Sequence, residues 1–255
     1  MRLAATTLGA GAPVLFLHGL LGRARNWQTM GRTVAADHAV WLVDLRNHGA
    51  SPWSDEMSYP AMARDVAGLI EEEHLAPVTL VGHSMGGKVA MVLALTRPEL
   101  LARLIVVDIA PIGYRHGFEH FVRAMLDADL SPPRRRTEID QALAASIPEP
   151  AMRAFLMQNL ESRDGAMRWQ PNLPVLLRAM DTLTGFPEDV RPGVFEGPAR
   201  CLRGARSDYV GEAGLAALRR LFPAATVASV ADAGHWPHAE RPEEFGVLLG
   251  RALAD

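Results

Sequence analysis

The sequence predicts an α/β fold in which a mostly parallel sheet carries helices on both faces. Over the first 110 residues, short and continuous apolar runs alternate with longer amphipathic stretches. Uninterrupted apolar runs are typical of parallel strands that are buried on both faces, and such strands are usually connected by helices. The alternation stops at about residue 111 and returns after residue 191, which indicates that a helical block interrupts one α/β unit.

The predicted strands are apolar runs, most of them bounded by Gly, Pro or charged residues. They are residues 13–19 (PVLFLHG), 39–46 (AVWLVDLR), 77–84 (PVTLVGHS), 103–111 (RLIVVDIAP), 198–204 (PARCLRG) and 226–232 (TVASVAD). The predicted core helices repeat apolar residues at helical spacing and lie at residues 25–37, 57–74, 86–100, 211–222 and 242–253. Strands and helices therefore alternate along the core, as parallel pairing requires.

The helical block, residues 111–190, is predicted to be a cap inserted into a core that consists of residues 1–110 and 191–255. Prolines and glycines separate its helical stretches, and none of them reads as a buried strand. Because the block follows a core strand directly, it should lie at the carboxyl edge of the sheet, where folds of this class bind their ligands. We expect it to act as a lid.

Composition argues against several classes of protein. The chain has 255 residues, 49% of them hydrophobic, and a formal net charge of -3, so neither disorder nor nucleic-acid binding is indicated. The single cysteine, Cys201, cannot form an internal disulfide, and its apolar surroundings predict a buried thiol. No apolar run is long enough to predict a membrane span. We expect a cytoplasmic protein, and the sequence leaves monomer and homo-oligomer equally open.

The stretch LVGHSMGGKVA, residues 80–90, contains the pattern G-x-S-x-G, with Ser84 between Gly82 and Gly86. A predicted strand precedes the pattern and a predicted helix follows it, which is the setting of a nucleophile elbow. The glycines make room for a tight turn, and the start of the helix favours negative charge that develops at the serine. This context predicts that Ser84 is a nucleophile.

A serine nucleophile needs two donors for the oxyanion that forms on its substrate. One should be the backbone amide of Met85, and the other should come from the loop HGLLG after the first core strand. We assign the second donor to the amide of Leu20, with Leu21 as the next choice. His18 is expected to pack and form hydrogen bonds beneath this loop.

A general base for Ser84 is expected late in the chain, if the order serine, acid, histidine holds. His235 lies in AGHWPH, three residues after the run TVASVAD, in a loop that should reach the elbow. Gly234 permits close approach of the backbone, and Trp236 is placed to form a wall of the pocket. His238 is expected at the surface or as a supporting residue.

Two aspartates are candidates for the acid that orients the histidine. Asp108 ends the run LIVVD, and Asp208 follows the strand PARCL in the stretch RGARSDYV. Both stand at the carboxyl end of a predicted strand, from which the His235 loop is within reach. Aspartates also commonly cap loops and helices, so the residues by themselves leave the choice open.

Six stretches together resemble the α/β-hydrolase superfamily and, within it, the YbfF-type branch of abhydrolase-domain acyl esterases. They are LHGLLG, DLRNHGASP, MSYPAMARDV, VGHSMGGKVAM, VVDIAP and AGHWPHAERPEEF, whereas the block 111–190 matches only loosely. The resemblance implies the α/β-hydrolase fold and an acyl-enzyme on the elbow serine. It implies neither a metal nor an organic cofactor.

The resemblance also bears on the acid. In most of the superfamily the acid stands in a G-x-x-D pattern after the penultimate core strand, and from Gly204 this pattern falls on Ser207. Asp208 is displaced by one residue, which turns a side chain to the opposite face of an extended segment. In the YbfF-type branch the aspartate of VVDIAP serves instead, which implies Asp108 as the acid and Asp208 as the alternative.

The combined prediction is a serine hydrolase that cleaves a small-molecule carboxylic ester or an acyl-CoA-like thioester. The histidines show no zinc-binding spacing, so no metal is predicted. Residues expected to line the substrate pocket are His18, Leu21, Trp236, Phe118, Phe121, Met125 and Phe155. Alternatives are a carbon–carbon bond hydrolase, a cofactor-free perhydrolase with the same three residues, and a non-catalytic ligand receptor on the same fold.

Overall fold

The computed structural model describes residues 1–115, 118–131, 134–189 and 195–254. In chain order the strands are β1 (Ala5–Leu8), β2 (Ala12–Leu17), β3 (His38–Val43), β4 (Val78–His83), β5 (Leu101–Val107), β6 (Leu160–Arg163), β7 (Ala166–Trp169), β8 (Ala199–Gly204) and β9 (Thr226–Val230). Seven of them form one sheet in the order β1-β3-β2-β4-β5-β8-β9. Every neighbouring pair in it is parallel except β1 with β3. The predicted α/β fold is confirmed.

The helices connect the strands and cover the sheet. In chain order they are α1 (Gln28–Val34), α2 (Tyr59–Glu72), α3 (Met85–Thr96), α4 (Phe118–Asp127), α5 (Arg136–Leu143), α6 (Pro150–Met157), α7 (Leu173–Arg178), α8 (Met180–Thr184), α9 (Glu212–Leu221), α10 (Pro237–Glu240) and α11 (Pro242–Ala254). Short 3-10 helices span Ala24–Trp27, Pro98–Leu100 and Asp208–Val210.

Strand β2 illustrates why the central strands are apolar throughout. Val14 and Phe16 belong to a buried cluster that includes residues of α1 and α11. Leu15 and Leu17 belong to a second cluster, which includes residues of α2 and α3. All four side chains are fully buried, and each such burial contributes roughly 1.5–3 kcal/mol relative to exposure. Both faces of the sheet are therefore covered, as the sequence predicts.

Two short elements differ from the sequence prediction. Strand β1 is antiparallel, lies at the edge of the sheet and is mostly exposed, so its residues carry no apolar pattern. The hairpin β6–β7 lies within the block that was predicted to be helical, and half of its strand residues are exposed. Its turn consists of Asp164 and Gly165, both with positive φ. An Asp-Gly pair is a common hairpin turn, so this strand pair had a signal in the sequence.

The segment between β5 and β8, here called the insertion, contains helices α4–α8 and the hairpin. Its buried side chains, Leu156 and Leu183 among them, belong to the same cluster as α2 and α3. The Trp169 indole N–H donates a hydrogen bond to the Met125 carbonyl at 2.8 Å, which fastens the hairpin to α4. The predicted end of the cap, at residues 190 and 191, lies outside the described residues.

Two further sequence predictions concern burial. Cys201 is buried in β8, as predicted. Within the described ranges, no helix has both the length and the apolar character that crossing a membrane requires.

His238 is buried, so of its two predicted places, the surface and a supporting position behind the site, the surface is excluded. Its ring stacks on the Trp27 indole at a centroid distance of 4.3 Å and meets the Phe245 ring edge-on at 5.9 Å. Its Nδ1 has no hydrogen-bond partner among the described residues. Burial, with a smaller contribution from His235, lowers the pKa of His238 to about 3. Tertiary packing of α11 against the Ala24–Trp27 turn encloses the ring, and no local pattern reveals that.

We expect His238→Phe to reduce the loss of stability in acid. An unfolded histidine binds its proton near pH 6.5, whereas folded His238 binds one only near pH 3, so the unfolded state holds more protons between these values. The stability contributed by neutral His238 is therefore present above pH 6.5 and is lost as the pH falls toward 3. Between pH 7 and pH 5, wild type should lose roughly 1–2 kcal/mol more unfolding free energy than the variant in urea denaturation.

The exposed His74 provides the control for this experiment. His74→Asn should keep the pH dependence of the wild type. Identical pH dependence in wild type and His238→Phe would contradict the prediction.

Candidate active site

Ser84 stands at the junction of β4 and α3, in a backbone conformation that a non-glycine residue rarely adopts, with φ 50° and ψ −119°. Its amide donates a hydrogen bond to the Val107 carbonyl at 3.0 Å, which fastens the turn to the end of β5. A Cβ at Gly82 would lie 2.3 Å from the Gly86 carbonyl oxygen, and one at Gly86 would lie 2.6 Å from that of His18. Glycine at both positions is therefore a steric requirement of the elbow.

His235 lies in the loop between β9 and α10 and contacts both Ser84 and Asp108. Its Nε2 is 3.1 Å from Ser84 Oγ, and its Nδ1 is 2.8 Å from Asp108 Oδ2. A carboxylate accepts hydrogen bonds only, so we assign the imidazole proton to Nδ1, which leaves Nε2 as an acceptor for the serine hydroxyl. The His235 carbonyl accepts a hydrogen bond from His83 Nε2 at 2.7 Å, which holds the loop in place.

Asp108 follows β5 directly and is fully buried. Its Oδ1 accepts a hydrogen bond from the Gly204 amide at 2.9 Å, and its Oδ2 accepts one from the Ser207 hydroxyl at 2.5 Å. Its φ is 50°, in the left-handed region, which turns the side chain out of the line of the strand. Three donors, with His235 included, therefore compensate the buried carboxylate.

Asp208, the alternative acid, does not take part in this arrangement. It is exposed, at the start of the 3-10 helix Asp208–Val210, and among the described contacts of His235 it is Asp108 that supplies the carboxylate. Its neighbour Ser207, at the usual superfamily position of the acid, donates to Asp108 instead. The sequence had this signal, since the G-x-x-D pattern falls on Ser207, but the role of its hydroxyl was missed.

Leu20 and Met85, whose amides are predicted to bind an oxyanion, line one small cavity together with Ser84. Met85 is the first residue of α3, so its amide has no carbonyl partner within the helix. Leu20 also borders a larger cavity at Ser84. The Leu21 amide, the second choice, is already occupied, because it donates to His48 Nε2 at 3.2 Å. Leu21, which was also predicted to line the pocket, is not among the described walls of this cavity.

His18 lies beneath the loop that carries Leu20. Its Nε2 accepts a hydrogen bond from the Leu45 amide at 3.0 Å, and its Nδ1 is 2.8 Å from the Gly19 carbonyl. Burial lowers the pKa of His18, and it lowers the pKa of neighbouring His48 to about 3. Both rings therefore stay neutral and act as hydrogen-bonding supports of the loop.

A cavity of about 460 Å³ opens at Ser84 and His235. Predicted residues that border it are His18, Phe118, Phe155 and Trp236. Phe121 and Met125 were also predicted to line it but are not among its walls. Met125 is fully buried inside the insertion, and Phe121 packs edge-on against Phe118 at 5.7 Å. Helix α4 turns one side toward the rest of the insertion, and sequence spacing does not reveal which.

Sequence reasoning also missed an aromatic contact on the histidine. The Tyr209 ring lies on the His235 ring at a centroid distance of 3.8 Å and an interplanar angle of 18°. Burial raises the pKa of Tyr209 to about 12, so the phenol stays neutral. The stacked ring limits rotation of the imidazole. The sequence offered no signal for it, since Tyr209 and His235 are far apart in the chain.

The arrangement supplies a hydroxyl, a base and an orienting carboxylate in series, with amides at the start of a helix beside the hydroxyl. Such a set can activate a serine for attack on a carbonyl and can bind the resulting oxyanion. Within the described part of the chain, no group of three or more His, Cys, Asp or Glu side chains is arranged to hold a metal ion.

Known proteins resemble this chain over most of its length. A model of the alpha/beta hydrolase family matches residues 14–246. The sn-1-specific diacylglycerol lipase ABHD11 of Mus musculus is 39% identical over 91% of this chain and 78% of its own length. The esterase YbfF of Escherichia coli is 32% identical over 96% of this chain and 94% of its own length.

Solved structures show the same fold. A marine microorganism esterase superposes with a TM-score of 0.95 at 32% identity, over 98% of both chains. E-2-(acetamidomethylene)succinate hydrolase superposes with a TM-score of 0.80 at 22% identity, over 99% of this chain and 95% of its own, which is a likeness of fold alone. The chain therefore belongs to the α/β hydrolase family, and within it to the esterase- and lipase-type enzymes that resemble YbfF.

Proposed function

We propose that the protein is a serine hydrolase that cleaves carboxylic esters through an acyl-enzyme on Ser84. The observation that carries the proposal is the continuous contact from Ser84 Oγ to His235 Nε2 and from His235 Nδ1 to Asp108. Each member supplies what the next one needs, because the carboxylate orients the imidazole and the imidazole accepts the serine proton.

In the first half-reaction, Ser84 Oγ forms a bond to the ester carbonyl carbon while His235 Nε2 takes the hydroxyl proton. The carbonyl oxygen becomes an oxyanion, and the amides of Leu20 and Met85 donate hydrogen bonds to it. Collapse of this intermediate breaks the bond to the alcohol oxygen, and the imidazolium returns its proton to the leaving alcohol. Asp108 stabilises the imidazolium throughout.

In the second half-reaction, a water molecule replaces the alcohol. His235 Nε2 takes a proton from the water as its oxygen attacks the acyl carbon, and the same amides hold the second oxyanion. Collapse breaks the bond to Ser84 Oγ, which recovers its proton from the imidazolium. The products are a carboxylic acid and the free enzyme.

The walls of the cavity favour an uncharged ester with an apolar acyl group. Helix α6 contributes Met152 and Phe155, and the core contributes Trp27. Glu240 is the one Asp, Glu, Lys or Arg side chain among the described walls, and its carboxylate already accepts hydrogen bonds from the Gly234 and Trp236 amides. The described walls carry no Lys or Arg side chain, which favours an uncharged acyl group inside the cavity.

The insertion, residues 111–190 in the sequence prediction, is proposed to act as the cap of this site. Hydrogen bonds fasten it to the loops of the core beside the cavity. The Arg23 guanidinium donates to the Gln158 carbonyl at 2.8 Å, and Asn26 donates to the Gln158 side chain at 2.9 Å. Asn159 donates to the Leu21 carbonyl at 2.7 Å. The cap and the core therefore form the substrate cavity together.

The same three residues would also serve carbon–carbon bond hydrolysis or peracid formation. The names of the relatives, esterase and diacylglycerol lipase, favour ester cleavage over both. A non-catalytic receptor is disfavoured because the hydroxyl, the imidazole and the carboxylate are in hydrogen-bonding contact.

We expect wild type to hydrolyse p-nitrophenyl esters and Ser84→Ala to lose this activity by a factor of at least about 10³, because Ser84 is the hydroxyl that contacts His235 Nε2 among the described residues. The measurement is kcat/KM across a series of acyl-chain lengths, with acyl-CoA thioesters assayed in parallel. A fluorophosphonate probe should label wild type and leave Ser84→Ala unlabelled. Equal ester hydrolysis by both proteins would rule out the mechanism.

Asp108→Asn should lower kcat on the order of 10³–10⁴-fold, because an amide at this position favours the wrong tautomer of His235. Asp208→Asn is the matched control, because it makes the same carboxylate-to-amide change at the exposed alternative acid, and it should leave kcat within about twofold. Steady-state kinetics with the best p-nitrophenyl ester measures both. Loss of turnover in Asp208→Asn with activity retained in Asp108→Asn would reverse the assignment.

Phe155→Ala should shift the preferred acyl chain toward greater length, because the change enlarges the wall that α6 gives to the cavity. Phe121→Ala removes an aromatic ring from the same insertion but not from the cavity wall, and should keep the wild-type preference. The ratio of kcat/KM for long and short esters reports the shift. An unchanged ratio in Phe155→Ala would place the acyl chain elsewhere.

A further inference from the structure

Lys88 is a buried cation that the proposed mechanism does not use. It lies on α3, four residues after Ser84, and its side chain is almost entirely enclosed, at 1% exposure. No carboxylate forms an ion pair with it among the described residues, although an isolated buried ammonium is unfavourable. Burial lowers the pKa of Lys88 to about 7. A lysine in these surroundings calls for a physical explanation.

Burial disfavours the charged form of Lys88, and the dipoles around the ammonium oppose that effect. Its Nζ donates to the Thr184 carbonyl at 2.9 Å and to the Gly185 carbonyl at 2.5 Å, at the carboxyl end of α8. It also lies over the Tyr114 ring at 4.7 Å and over the Tyr59 ring at 5.6 Å, and aromatic faces attract cations. Burial raises the pKa of both phenols, so neither becomes an anion beside the lysine.

A small cavity joins this cation to the reacting end of the site. Its walls include Lys88, Ser84, Met85 and Leu20. Met85 and Leu20 carry the amides that the proposed mechanism uses for the oxyanion. An ammonium has three N–H groups, and the carbonyls of α8 occupy two of them. The positive charge therefore borders the space in which negative charge would develop, in surroundings where water screens it little.

We propose that the charge of Lys88 stabilises the oxyanion from behind the amides of Leu20 and Met85. The inference rests on the proposed ester hydrolysis at Ser84. Lys88 does not touch the reacting atoms, and it acts through the electrostatic field at the site. Its hydrogen bonds to α8 hold the ammonium in position and tie the cap to the helix that begins at the nucleophile.

A purely structural role would consist only of the anchoring of α8. Tyr59 separates this role from the electrostatic one, because its hydroxyl donates to the Leu183 carbonyl at 2.6 Å, one residue before the carbonyls that Lys88 binds. Tyr59→Phe thus removes an anchor of the same helix end without removal of charge. Lys88→Met removes the charge at similar volume, and Lys88→Gln removes the charge but keeps an N–H donor.

The test compares these variants in steady-state ester hydrolysis. Lys88→Met and Lys88→Gln should each lower kcat about tenfold or more with KM within about threefold, because the charge acts in the transition state and not in the ground state. Tyr59→Phe should keep kcat within about twofold. Affinity for a trifluoromethyl ketone, which forms an oxyanion on the serine, should fall in both Lys88 variants by a factor similar to the fall in kcat/KM.

Three results would overturn the inference. They are an unchanged kcat in Lys88→Met, a kcat in Lys88→Gln equal to that of wild type, or equal kcat losses in Lys88→Met and Tyr59→Phe. If Lys88→Met does not fold, Lys88→Gln against Tyr59→Phe decides the question. Ester hydrolysis that survives Ser84→Ala would instead remove the proposed function, so the two failures are distinguishable.

Discussion

The hydrogen bond between Asp108 and His235 is the contact on which the rest of the site depends. Asp108 ends β5, whereas His235 follows β9, and β8 lies between these strands in the sheet. The loops after β8 and β9 must therefore come together. A Cβ at Gly204 would lie 2.0 Å from the Gly234 carbonyl oxygen, so this approach requires a glycine. The end of β8 also supplies the Gly204 amide and the Ser207 hydroxyl that compensate the buried carboxylate.

Few charged side chains surround this contact, which strengthens the electrostatic interactions at the site. Burial lowers the pKa of four histidines near the site, so their rings are neutral and hold loops through hydrogen bonds and stacking: His18, His48, His83 and His238. In such surroundings an ion pair or a fixed dipole acts more strongly than it would in water. The proposed imidazolium of His235 would form beside Asp108, and the proposed oxyanion would form beside Lys88.

The insertion is part of the same packed unit as the core. It shares a buried apolar cluster with α2 and α3, so one continuous interior runs from the sheet into α6 and α8. Hydrogen bonds also join the insertion to the core at two places, the mouth of the cavity near Gln158 and the carboxyl end of α8 near Thr184. Because the insertion is fastened at both places, the cavity walls have a defined shape, which would support selectivity for the acyl group in the proposed reaction.

The sequence by itself determined the alternation of strands and helices, the elbow at Ser84 and the position of His235, because periodicity, glycine requirements and chain order are local properties. The sequence did not predict β1 or the hairpin β6–β7, because these elements bury too few side chains to show an apolar pattern. The residues alone left Asp108 and Asp208 open, and the family resemblance implied Asp108. Only the tertiary structure shows the contact of Asp108 with His235 and the hydrogen bond that Ser207 donates to Asp108. The tertiary structure also brings Lys88 to the carbonyls of Thr184 and Gly185, which lie 96 and 97 residues further along the chain. These outcomes depend on which distant segments meet at one sheet edge, and no property of a short stretch of sequence encodes that.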